Sequence, residues 1–231
     1  MLTLEDITVT LGDFTLRADT SVPQGITAVI GPSGGGKSTL LSAIGGFAEV
    51  EGRIYVDGQD ITGRQPAERP VATLFQDHNL FPHLTVAQNV GLGLVSKLTL
   101  PTGVREEVDE VLRRVGLSGM GDRKPGALSG GQQSRAALAR ALVQDKPVVL
   151  LDEPFAALGP ALKAEMLDLA RYVLAAPGRT LLMVTHDPGD AERVAEHVLL
   201  VMDGAVSGPH DRAALMADPP EALRTYLGGF E

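Results

Sequence analysis

Residues 2 to 22 alternate apolar and polar positions, with Leu2, Leu4, Ile7 and Val9 followed by Phe14 and Leu16. This pattern predicts antiparallel strands with one buried face, and Gly12-Asp13 marks the turn between them. Ile26 to Ile30 reads as a short buried strand, and Lys37 to Phe47 as a helix. Arg53 to Val56, closed by Asp57-Gly58, predicts another strand and turn. Arg69-Pro70 then introduces a buried strand over Val71 to Phe75 that ends at Gln76.

The pattern changes character from Asp77 to about Lys146. Val104, Val108, Val111, Leu112 and Val115 recur at helical spacing, with Arg105, Glu106, Glu107, Asp109, Arg113 and Arg114 on the opposite, solvated face. Pro125-Gly126 breaks the chain before helical spacing resumes over Ala136 to Val143. Val148 to Leu151 is an unbroken apolar run ending at Asp152, as expected of a parallel strand covered on both faces. A helix over Ala161 to Leu174 and strands over Leu181 to Thr185 and Val198 to Met202 follow. Asp203-Gly204 predicts a hairpin turn, and residues 211 to 229 short helices. Strands and helices alternating in this way predict an α/β fold around a doubly wound sheet.

Composition narrows the setting. The chain has 231 residues, 44% of them hydrophobic, enough for one sizeable α/β domain or a core with an insertion. The absence of cysteine excludes disulfides and cysteine zinc sites and suits a reducing compartment. Met1 to Asp6 lacks the basic and apolar regions of a secretory signal, and no apolar run approaches the length of a membrane span, so work at a membrane is expected to go through a partner. A net charge of −9 without a Lys/Arg cluster argues against nucleic acid as a partner.

The candidate chemistry centres on Gly31-Pro32-Ser33-Gly34-Gly35-Gly36-Lys37-Ser38-Thr39, which satisfies the P-loop pattern G-x-x-x-x-G-K-[ST]. Glycines let the backbone curl so that successive N–H groups point inward as an anion nest, and the following helix aims its positive end at the same place. Lys37 is the expected partner of the β- and γ-phosphates, and Ser38 the expected Mg²⁺ ligand. Asp152, at the end of an apolar strand, is placed to hold Mg²⁺ through water, and the adjoining Glu153 to polarise an attacking water. Leu128-Ser129-Gly130-Gly131-Gln132 opens a helix with a serine and two glycines, which suits a second anion site and, by itself, an ordinary N-cap equally well. Val184-Thr185-His186-Asp187 stands at another strand end, one helix and one strand after Asp152.

Taken together and in this order, these motifs resemble the ATP-binding cassette (ABC) family; Leu128 to Gln132 matches its signature letter for letter, and the resemblance covers nearly the whole chain. It implies a P-loop NTPase (RecA-like) core with an N-terminal antiparallel β subdomain and an inserted α-helical subdomain. Residues 1–231 would form a single ABC ATPase domain, with the nucleotide-binding core in 1–76 and 147–231 and the signature-bearing helical insertion in 77–146. The resemblance further implies ATP and Mg²⁺ as cofactors, His186 as the switch that contacts the γ-phosphate, and Gln76 as a sensor of Mg²⁺ and water. Two cassettes would pack head to tail as a homodimer, each ATP held between one P-loop and the partner's Ser129, Gly130, Gly131 and Gln132. Closure and reopening of that pair would drive membrane permease subunits from the cytoplasmic face of the inner membrane.

Leu80-Phe81-Pro82-His83-Leu84-Thr85-Val86-Ala87-Gln88-Asn89-Val90 looks like the same region of importer cassettes. With Arg69-Pro70-Val71, Leu74-Phe75-Gln76 and the run His83 to Leu94, it is similar to the importer group that serves thiamine, which would add a periplasmic solute-binding protein acting through the permease. The length also fits that group, because many sugar, sulfate and polyamine importer cassettes carry a further C-terminal domain. An iron or polyamine importer is the alternative within the fold, and a soluble nucleotide switch the alternative outside transport.

Two positions depart from the family pattern. The aromatic residue that stacks on adenine is replaced by Leu11, with Phe14 nearby. The aspartate expected after Ala156-Ala157-Leu158 is Gly159.

Overall fold

The structure, a computed structural model, describes residues 1–75, 80–174 and 177–228. Its strands are β1 (Leu2–Leu11), β2 (Phe14–Val22), β3 (Gly25–Ile30), β4 (Glu51–Val56), β5 (Gln59–Asp60), β6 (Val71–Leu74), β7 (Val148–Asp152), β8 (Thr180–Val184), β9 (His197–Met202) and β10 (Ala205–Asp211). They join in one ten-stranded sheet of order β5-β4-β1-β2-β10-β9-β3-β8-β7-β6. From β9 through β3, β8 and β7 to β6 the strands run parallel, while β1, β2, β4 and β5 form an antiparallel ribbon.

The parallel strands are apolar on both sides because both sides are covered. On β3, Ile26, Ala28 and Ile30 pack into one cluster, together with Leu151, Leu181 and Met183 of the neighbouring strands. Val29, one residue out of step, faces the other cluster with Leu150, Leu182, Leu199 and Leu40. The first cluster lies under α2 (Val86–Gly91), α3 (Thr102–Arg114), α4 (Gly130–Leu142), α5 (Pro160–Leu174) and α6 (Pro188–Val194). The second lies between α1 (Lys37–Gly45) and the antiparallel ribbon. Regular structure between Leu80 and Lys146 is entirely helical among the described residues. Two short helices, α7 (Arg212–Ala217) and α8 (Glu221–Leu227), end the chain.

Local chemistry sets the boundaries. α1 stops at Gly45, two residues short of the predicted Phe47, because Gly46 turns left-handed at φ 83° and its N–H reaches back to Ala43 O. β6 ends at Leu74, one residue before Phe75. In α3, Val108, Val111 and Leu112 are buried as the helical spacing predicts. β10 and α6 are elements the pattern does not announce. Gly208 and Pro209 interrupt the alternation in β10, and α6 is short, entered through the Asp187 N-cap and Pro188.

Candidate active site

Three parallel strand ends converge on one edge of the sheet. β3 runs into the P-loop, β7 ends at Asp152, and β8 ends one residue before Thr185-His186. The register pairs Val29 with Val184 and Asp152 with Val184, so the three loops leave the sheet side by side. The P-loop is pressed against the end of β9 as well. A Cβ on Gly31 would lie 1.9 Å from the carbonyl oxygen of Val201, so no other residue fits there without moving the sheet. Gly36 precedes α1 with φ 108°, and a Cβ on it would lie 2.9 Å from both Phe14 and Leu16.

Lys37 is buried at 7% exposure, with Nζ donating to Gly31 O at 2.8 Å and Pro32 O at 2.9 Å. Burial pushes its pKa down, while the charges of Glu153 and Asp152 oppose that shift. Ser38 Oγ donates to Asp152 Oδ1 at 3.3 Å. Burial pushes the Asp152 carboxyl up; the Ser38 hydrogen bond counters this and the nearby Glu153 charge adds to it. Glu153 holds φ +44°, a left-handed conformation that non-glycine residues avoid and that collects at functional sites. Its Oε2 lies 3.1 Å from His186 Nδ1.

Phe14, Ser33, Gly34, Gly36, Lys37, Ser38, Thr39 and Glu153 line a cleft of about 250 Å³. The arrangement suits a polyphosphate and a hard divalent cation. Ser38 Oγ and the Asp152 carboxylate are hard oxygen donors set side by side at this cleft, the donor chemistry such a cation prefers. Among the described residues no three His, Asp or Glu side chains converge as a complete cage, and a cation shared with phosphates needs none.

The other predicted site residues lie elsewhere. Gln76 falls outside the described residues. Leu11 is 52% exposed at the tip of the β1–β2 hairpin and does not line the cleft. Ser129 caps α4: its hydroxyl accepts from Gln132 N at 3.3 Å and the Gln132 side chain accepts from Ser129 N at 3.0 Å, a reciprocal capping box. Ser129 and Gly130 are exposed, and none of residues 129 to 132 lines the P-loop cleft of the same chain. Gly131 is buried against α5, where a Cβ would lie 2.7 Å from Leu162.

Two supporting cations escape sequence reasoning. Arg69 is 3% exposed; its Nη1 donates to Ala43 O and Ile44 O at 2.8 Å each, its Nη2 to Thr62 O at 2.6 Å, and its Nε to Arg64 O at 3.0 Å. It thereby closes the C-terminal end of the P-loop helix with a positive charge. Lys163 on α5 bridges Asp187 and Asp190 behind His186. Neither has a local signature, since each is defined by partners that folding brings near.

Comparison with known proteins decides the family. Residues 17–156 match the sequence family described as ABC transporter. The chain belongs to the ABC transporter family. This cassette is 60% identical over 230 residues to the thiamine import ATP-binding protein ThiQ of Cereibacter sphaeroides, covering 99% of this chain and 100% of the relative. It is 55% identical to the protein of the same name from Ruegeria sp., with the same coverage. Among solved structures, the ADP conformation of the ATP-binding cassette MJ1267 superposes with a TM-score of 0.85 at 29% identity, covering 99% of this chain and 98% of that one. The dimeric post-hydrolysis state of the cassette MJ0796 bound to ADP and Pi superposes with a TM-score of 0.77 at 29% identity, covering 92% and 99%. The cassette therefore shares their P-loop NTPase fold, and no helix among its described residues is long and apolar enough to cross a membrane.

Proposed function

We propose that the chain is the ATP-hydrolysing subunit of a thiamine importer, and that the residues gathered at the P-loop cleft hydrolyse the nucleotide. The observation that carries the chemistry is the convergence of Lys37, Ser38, Asp152, Glu153 and His186, with Ser38 on Asp152 at 3.3 Å and His186 on Glu153 at 3.1 Å. Thiamine as cargo is supported by the relatives, which carry that activity in their name and match this chain along its full length.

In this reading the backbone N–H groups of Ser33 to Thr39 hold the β- and γ-phosphates, with Lys37 Nζ exchanging its carbonyl partners for phosphate oxygens. Ser38, and Asp152 through water, would hold Mg²⁺, with Gln76 as its sensor; the ion would supply positive charge to offset that of the phosphates. A Glu153 carboxylate oxygen accepts a hydrogen bond from the attacking water and orients it, and His186, beside Glu153, contacts the γ-phosphate. Ser129, Gly130, Gly131 and Gln132 complete the site of a second copy, which the exposure of Ser129 and Gly130 and the absence of all four from the same chain's cleft lining support. The two copies act on permease subunits at the cytoplasmic face of the inner membrane, and a periplasmic solute-binding protein delivers the cargo.

The test is ATP hydrolysis by the chain assembled with its permease in liposomes, with and without thiamine-loaded binding protein. Stimulation by the loaded protein is the expected result. Basal hydrolysis stimulated only by a different loaded binding protein would retain the ATPase and replace the cargo.

A further inference from the structure

His186 is held from the buried side by a network that begins on another element. Thr185, 4% exposed, donates its hydroxyl to Asp190 Oδ2 at 2.6 Å and accepts from Asp187 N at 3.0 Å. Asp187 divides its carboxylate: Oδ1 accepts from Gly189 N at 2.9 Å, capping α6, and Oδ2 accepts from Lys163 Nζ at 2.8 Å. Lys163 Nζ also meets Asp190 Oδ2 at 2.8 Å. One ammonium on α5 thus pairs with both carboxylates of the turn that follows His186.

The position of Lys163 in the chain gives this pairing its meaning. α5 starts seven residues after Glu153, through the turn Pro154 to Gly159. Glu153 and His186 are therefore joined twice: directly, at 3.1 Å, and around the back through α5, Lys163 and the Asp187–Asp190 pair. Burial works against the Lys163 charge, but its hydrogen bonds to Asp187 and Asp190 outweigh it and hold the ammonium above its ordinary pKa. Lys163 is largely shielded from solvent and Asp190 is buried, so removing the ammonium leaves a carboxylate without its counter-charge in a poorly solvated place.

We propose that Lys163 is a positioning residue for ATP hydrolysis, fixing His186 relative to Glu153 through Asp187 and Asp190. The inference rests on the ATPase reading above and adds a residue to it. Without the ammonium, two carboxylates face each other behind His186 and the turn must open to rehydrate them, which moves the imidazole away from Glu153. Among the described residues, Lys163 Nζ makes hydrogen bonds and ion pairs to Asp187 and Asp190 and not to the P-loop or its cleft, so nucleotide affinity is expected not to depend on it.

The experiment compares Lys163→Met and Lys163→Arg with the unaltered full chain in Mg-ATP turnover and in titration with a fluorescent ATP analogue. Lys163→Met is expected to lower kcat tenfold or more, with KM and analogue affinity within about twofold of the unaltered chain. Lys163→Arg is expected to recover at least half of the activity, since a cleft of about 310 Å³ beside Lys163, Asp187 and Asp190 has room for the larger head. A Met variant that turns over at the unaltered rate, or one whose kcat and analogue affinity fall together, overturns the proposal. If Lys163→Met does not fold, Lys163→Gln, whose amide still donates to one carboxylate, is expected to give an intermediate kcat at unchanged KM, and full activity there overturns it equally. An unaltered chain without hydrolysis would instead overturn the ATPase reading.

Discussion

Leu11 and Phe14 are cross-strand partners at the tip of the β1–β2 hairpin, yet only Phe14 reaches the P-loop cleft. The side chain at position 11 points to solvent, while the Phe14 ring stands beside Gly36 at the start of α1. An aromatic ring there offers a stacking surface worth about 0.5–1.5 kcal/mol by analogy with aromatic pairs. Phe14→Ala should therefore weaken ATP binding by about two- to tenfold, and Leu11→Tyr, at a position turned away from the cleft, should leave it unchanged. Nucleotide titration of both variants checks this; unchanged affinity in Phe14→Ala would remove the ring from the adenine site.

Glu153 is expected to be needed for turnover and dispensable for binding. Glu153→Gln keeps the shape and the hydrogen bonding of the side chain but loses the basic oxygen, so hydrolysis should fall by about 10²- to 10⁴-fold. The variant should bind ATP and accumulate as a closed dimer, read by sedimentation in excess Mg-ATP. A monomer under those conditions would contradict the paired-cassette mechanism.

Gly159 sits in the turn between Glu153 and α5, and a Cβ there meets nothing within 4 Å. Its carbonyl accepts from Lys163 N at 2.9 Å, so it occupies the N-cap of α5, a position aspartate favours. Gly159→Asp should fold without strain and raise the hydrolysis rate or its cooperativity in ATP. Equal rates and equal Hill slopes would count against a coupling role for this turn.

Asp60 gives a pH-dependent prediction away from the site. The Thr62 hydroxyl, the Thr62 N–H and Arg53 hold its carboxyl down to about 2, against an ordinary 3.8. A depressed pKa means the folded state binds its proton less readily than the unfolded chain, so Asp60 stabilises the fold above pH 3.8 and loses that contribution as pH falls through 2. Asp60→Asn should flatten the dependence of Tm on pH in this window and lower Tm at neutral pH. Melting curves from pH 2 to 7 decide it.

The site was legible where a motif is local. The P-loop, Asp152-Glu153 and the Ser129 cap are contiguous stretches whose residue types state their own backbone needs, and the structure places each at the predicted strand or helix end. The strands β3 and β7 were legible because short unbroken apolar runs match parallel strands covered on both faces. What the sequence concealed is held by partners far along the chain. Arg69 reads locally as the polar residue before a proline, but its four acceptors lie on the end of α1 and in the turn after β5. Lys163 reads as one more polar position on an amphipathic helix, 24 residues from the aspartate it meets. β10 was hidden by its own Gly208-Pro209, which breaks the alternation and shifts the register against β9 before pairing resumes at His210.

The sheet is continuous across β10 and β2, but that seam is joined by a single parallel rung, Ala205 with Arg17, reinforced by Arg17 N to Gly204 O at 2.7 Å and Thr20 Oγ1 to Gly208 O at 2.6 Å. Every other pair of adjacent strands has at least two rungs. Under mechanical load or partial denaturation a crack should start there, because rungs so few share the stress poorly. The antiparallel ribbon would peel away with Phe14 on it, taking one wall of the nucleotide cleft while leaving the P-loop and Asp152 on the surviving parallel half.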